Sequence, residues 1–161
     1  MGDALYEFGE WLEVSPLANA LLEWPHTLAL ISSLHYFTVF LVVGTGILLS
    51  LRVLGVARQG QSVSQFAEAL FPWMWTSATV SVVTGFLLFV PGAGELFRAD
   101  FFGTKMIVIL LAFVSAFIIQ RSARKWDQPS GVPMAGRITA LISLLLWIGA
   151  ILAATEFGQY A

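Results

Sequence analysis

The chain has 161 residues, 58% of them apolar and 11% charged, with a formal net charge of −2 and a mean hydropathy of +0.82. Soluble domains carry about a quarter of their residues charged, so this composition excludes an ordinary soluble enzyme and a disordered tail. The slight acidity excludes a nucleic-acid partner, and the absence of cysteine excludes disulfides, thiolate metal sites, iron–sulfur clusters and a cysteine nucleophile.

Residues 1–24 read as an extracytoplasmic amphipathic segment. Leu5, Phe8 and Leu12 fall at i, i+3 and i+7, with Asp3, Glu7 and Glu10 on the other side, which predicts a short helix. The segment lacks a basic leader and its first charges are acidic, so no signal peptide is expected. A second short helix is predicted from Ser15, a good N-cap, with Pro16 at the first helical position. Trp11 and Trp24 suit an interfacial aromatic belt. Two uses stand open: a lid on the outer membrane surface, or an acidic docking face of Glu7, Glu10 and Glu13 for a basic partner such as a soluble electron carrier. A purely lipid-binding role is less attractive, because surface-seeking helices usually carry Lys and Arg.

Residues 25–161 are expected to form a transmembrane bundle. Crossing the hydrocarbon takes roughly 20 apolar residues as a helix. Four stretches qualify, at about 27–51, 69–90, 101–119 and 138–156. Pro25 and Pro133 precede the first and fourth, Pro72 lies near the start of the second, and Pro91 follows its end. Lipid offers the backbone no partners, so each span should be helical. The expected fold is all-α, an integral membrane four-helix bundle with a short amphipathic N-terminal segment.

The basic residues give the orientation. Arg52, Arg58, Arg121, Arg124, Lys125 and Arg137 lie in the connections on one side, and Arg98 and Lys105 on the other. The positive-inside rule makes the first side cytoplasmic and places both termini outside. Six basic and two acidic residues leave the inner face at +4; Asp3, Glu7, Glu10, Glu13, Glu23, Glu95, Asp100 and Glu156 bring the outer face to −6.

Chemistry-bearing groups within the spans are few. No span has a central Asp, Glu, Lys or Arg, which weighs against ion-coupled transport. No nucleophile elbow, phosphate loop or dinucleotide fingerprint occurs, so no catalytic residue is assigned. His26 sits at the outer mouth of the first span and His35 nine residues on, about 13 Å deeper and on the opposite helix face. The two cannot clamp one metal or haem from a single helix. His35 shares a stripe with Ser32, Thr38, Val42, Thr45 and Gly46, and the second span carries a matching stripe of Ser77, Ser81, Thr84 and Gly85. Small residues of this kind mark helix contacts, so the stripes are expected to pack together around His35. There its imidazole either ligates a b-type haem or another metal, or donates a hydrogen bond and does nothing more. Met74, Met106 and Met134 are candidate second ligands, although such methionines are usually packing. Trp73, Trp75 and Trp126 suit the inner belt, while Trp147 lies deeper and either lines a quinone or pigment pocket or packs the core.

Several phrases together resemble a small uncharacterised family of four-helix bacterial membrane proteins, a domain of unknown function. They are His35, Gly44 and Leu51-Arg52-Val53-Leu54-Gly55, then Phe71-Pro72-Trp73 and Thr84-Gly85-Phe86-Leu87-Leu88-Phe89, then Lys105-Met106 and Leu144-Leu145-Leu146-Trp147. They cover most of the chain from about residue 26. Ser50 departs from an acid in the family pattern, and Thr155-Glu156 from a basic residue, so a mechanism built on those charges is lost here. A looser similarity runs to copper-resistance and cytochrome-b-type membrane proteins.

The expected function is that of a multi-pass bacterial inner-membrane protein, a non-catalytic subunit or anchor of a larger, respiratory or otherwise redox, complex. Its partners are then the lipid bilayer and other membrane or extracytoplasmic subunits. The alternatives are an electron-transfer protein binding haem b or quinone through His35, and a metal or small-solute permease.

Overall fold

Runs of apolar residues without charge have one way to satisfy their backbone in lipid, and the chain takes it throughout. The structure, a computed structural model, describes residues 2–57, 60–127 and 131–157. Arg58, counted above in the first basic connection, lies outside them, and so do the side chains of Asp3, Asp100 and Glu156. The described residues form only helices: α1 (Gly2–Glu13), α2 (Pro16–Glu23), α3 (Thr27–Val53), α4 (Val63–Phe89), α5 (Ala93–Arg98), α6 (Asp100–Ser122) and α7 (Met134–Phe157). Two 3₁₀ turns, Val90–Gly92 and Ala123–Trp126, extend α4 and α6.

Among the described residues four helices are long and apolar enough to cross a bilayer, and the chain is a multi-pass membrane protein. Between 22 and 39% of each span's most apolar stretch is buried, so most of that surface is left for lipid. All four helices outrun the expected spans. The second begins at Val63 rather than about residue 69, because Asp127 supplies a cap that its polar first turn could not reveal. Asp127 Oδ1 accepts from the Val63 amide at 2.7 Å, and Oδ2 from the Ser64 amide at 3.2 Å. Pro72 therefore sits inside α4 and not at its start.

Local chemistry sets the other boundaries. Ser15 Oγ accepts from the Ala18 amide at 3.2 Å and caps α2 ahead of Pro16. The Leu51–Gly55 run that carries the family resemblance is a helix stop. Gly55 adopts φ +81°, the Val56 amide donates to Leu51 and the Gly55 amide to Arg52, each at 3.0 Å. This is a Schellman ending, which glycine adopts without a Cβ penalty.

The chain divides into two compact units. One comprises Met1–Phe40 with Ser77–Thr104, the other Leu41–Thr76 with Lys105–Ala161. In the first, Ala18 and Leu21 of α2 bury Val90 of the 3₁₀ turn, with Leu28, Ile31 and Leu87 around it. In the second, Trp147 is 1% exposed and meets Phe113 edge to face at 5.4 Å.

Candidate functional site

The stripes on α3 and α4 meet at His35 in the first unit. Nδ1 lies 3.1 Å from the Ser81 carbonyl oxygen and 3.0 Å from Thr84 Oγ. The Thr84 hydroxyl donates to the Val80 carbonyl at 2.8 Å, so toward the histidine it is an acceptor. A carbonyl only accepts. Both partners therefore accept, and the ring nitrogen that faces them, Nδ1, carries a proton and donates. Gly85 makes room: a Cβ there would stand 3.0 Å from the imidazole Cε1. Thr38, buried one turn along α3, turns its hydroxyl back onto the Leu34 and His35 carbonyls at 3.0 Å each. The histidine is half-buried, less enclosed than the stripe pattern suggests.

A backbone carbonyl holding Nδ1–H is also the arrangement that orients many metal-bound histidines. Of the two histidines, His35 is the one that would hold a haem iron if such a group were bound. Among the described residues no group of three His, Cys, Asp or Glu side chains gathers to hold a metal. His26 is exposed in the turn before α3, where its carbonyl accepts from the Leu30 amide, and it does not reach His35 about 13 Å along the helix.

Trp147 is packed rather than open. A Cβ at Gly46 would collide with its Nε1 and Cε2, so glycine is what lets α7 bring the indole against α3. Trp147 Nε1 and Ser143 Oγ have no hydrogen-bond partner among the described residues.

The acids of α1 divide by role. Glu13 Oε1 accepts from the Gly94 amide at 2.8 Å and caps α5, beside a close crossing in which a Cβ on Gly9 would meet the Gly94 backbone at 2.8 Å. Glu10 accepts the Tyr6 hydroxyl, and Arg98 covers the Tyr6 ring with its guanidinium carbon 3.7 Å from the centroid. That hydrogen bond to Glu10 chiefly raises the Tyr6 pKa; partial desolvation adds to it and Arg98 opposes it. Glu7 and Glu10 stay exposed next to Leu5, Phe8 and Trp11, whose last two rings stack at 5.7 Å.

Sequence patterning did not find the clasp between α1 and α5. Its one trace is the pair of small residues Ala93-Gly94 after Pro91, which reads as a loop.

A family described as a family of unknown function (DUF6644) matches residues 8–159. The chain belongs to this family. No curated protein and no solved structure matches the chain, and the looser likeness to copper-resistance and cytochrome-b-type proteins is not shown.

Proposed function

We propose that this family member is a non-catalytic subunit or anchor of a larger redox assembly in a bacterial inner membrane, with both termini outside. The outer surface of α1 carries the reading. Gly9 and Glu13 hold the helix on α5, and the sides turned away present Phe8 and Trp11 beside Glu7 and Glu10. Helices that merely rest on a lipid surface usually bear Lys and Arg on the polar face. An acidic face with exposed aromatics suits a basic protein partner, aromatic side chains anchoring and the charge steering approach. The six basic residues of two connections support the orientation.

Solubilisation in mild detergents followed by native mass spectrometry tests this. A stoichiometric partner is expected, weakened by salt and lost on combining Glu7→Lys with Glu10→Lys. A partner-free monomer in several mild detergents overturns the reading. A cysteine at Gly60 should be labelled only from the cytoplasm; labelling from outside reverses the orientation.

The Nδ1 hydrogen bonds of His35 favour a second reading, an electron-transfer protein in which His35 is a ligand of b-type haem or a hydrogen-bond partner of a quinone. Haem gives the purified protein a Soret band that His35→Ala removes. A colourless, iron-free preparation with no extractable quinone eliminates this alternative.

A further inference from the structure

Within the second unit, the first turns of α4 and the last turns of α6 border a groove of about 480 Å³. Phe71, Pro72 and Trp75 make its apolar wall, and Gln120, Arg121 and Arg124 its polar rim. Trp75 Nε1 donates to Gln120 Oε1 at 3.0 Å, a bond that ties the two helices and sets the indole along the groove. Arg124 donates from Nε and Nη2 to Glu68 Oε1, at 3.2 and 2.8 Å. Arg121 rests on the Phe117 ring with its guanidinium carbon 4.9 Å from the centroid, and it has no carboxylate partner among the described residues. Two arginines against one glutamate leave the lining cationic.

The surroundings are as informative as the charges. Trp73 beside the groove is 66% exposed, and Phe117 and Ile118 are 45% and 44% exposed. These are surfaces for acyl chains, and the arginines stand at the end of the spans where headgroups lie. Arginine forks pair with phosphate oxygens in two parallel hydrogen bonds, and stacking on a ring keeps the guanidinium plane in place. Basic pockets between membrane helices hold acidic headgroups in this way.

We propose that the groove binds an anionic phospholipid, its phosphodiester on Arg121 and Arg124 and one acyl chain against Pro72 and Trp75. The phosphate chemistry is shared with free phosphate, but only a lipid gains from the apolar wall. The site belongs to a different unit from His35 and α1, and it stands whether or not the subunit reading does.

Thermal unfolding of the detergent-purified full chain tests the proposal, with phosphatidylglycerol, phosphatidylcholine or inorganic phosphate added at equal concentration. Phosphatidylglycerol alone should raise Tm, and Arg121→Gln should demand about tenfold more lipid for the same shift, the loss of one charge-assisted contact. Arg137→Gln, a charge loss outside this groove, should leave the titration unchanged. Arg121 is exposed, so its variant should fold with the parent Tm in lipid-free detergent. Equal shifts from phosphatidylcholine, an unchanged titration in Arg121→Gln, or an equal loss in Arg137→Gln overturn the lipid site. An effect of inorganic phosphate equal to that of phosphatidylglycerol also overturns it, in favour of a free-anion site.

Discussion

His35, in the first unit, holds its Nδ1 within hydrogen-bond distance of a carbonyl and a hydroxyl, whereas Trp147, in the second, presses its Nε1 onto Gly46 without an acceptor among the described residues. Both are ring nitrogens on membrane helices, yet one is provided for and the other tolerated. An unmade hydrogen bond at a buried neutral group costs about 1–3 kcal/mol. Trp147 sets against this the contacts of a nearly full indole surface with Gly46 and Phe113, and between membrane helices such packing is the main source of association. An imidazole offers less surface and carries a titratable nitrogen, so its place is decided by acceptors. The first unit thus specifies a hydrogen bond, and the second specifies a shape.

The sharpest way to break this contrast is at Gly46. Gly46→Val should destabilise by about 3 kcal/mol, read from reversible unfolding in mixed micelles, because the added atoms meet the indole and cannot be accommodated by a flexible side chain. Combined with Trp147→Leu, part of the loss should return, and strictly additive effects would show that the two residues do not meet. Next comes the histidine. His35→Ala should cost about 1 kcal/mol and Thr84→Val somewhat less, with the double variant short of the sum, in keeping with hydrogen bonds between membrane helices. Losses that simply add would dissolve the pair.

Ser143→Ala probes the opposite case and should lie within about 0.5 kcal/mol of the parent, since the hydroxyl has no partner among the described residues to lose. A loss above about 1 kcal/mol would reveal a bond and erase the distinction between the units. The smallest effect is expected from Asp127. Burial alone would raise its pKa, but hydrogen bonds from Ser64, Val63 and Ser62 outweigh it and hold the carboxyl below the usual range. A depressed folded-state pKa adds stability above the unfolded value of about 3.9, and this fades as pH falls through the folded value. Asp127→Asn should flatten that acid limb of a Tm–pH profile and leave neutral pH little changed. An unaltered limb would remove Asp127 as the cap of α4.

Much of this contrast was legible in the residues, though unevenly. The four spans follow from uncharged apolar length, and the stripe from His35 to Gly46 follows from helical period, because both are properties of one helix. Which stripe a helix turns to which neighbour is a property of two. The pairing of Gly46 with Trp147 was therefore invisible, although both residues were singled out. Glu13 is the instructive case: among the acids of α1 it looked like a docking residue with Glu7 and Glu10, yet its carboxylate faces Gly94 and closes α5. Nothing in a six-residue helix announces itself by periodicity, and at the start of α5 it is a distant acid that accepts from the Gly94 amide. The early start of α4 has the same origin, with Asp127 in place of Glu13.

The Glu13–Gly94 clasp also bears on the order of assembly during synthesis. Its two ends lie 81 residues apart in the chain. At 5–20 residues per second, α1 leaves the ribosome about 4–16 s before the backbone it will cross. Throughout that interval the Glu13 carboxylate and the Gly9 surface are without the α5 backbone they pack on, and only the arrival of Ala93–Arg98 gives them a seat. α1 is made well before α5, yet it settles only once α5 has followed it.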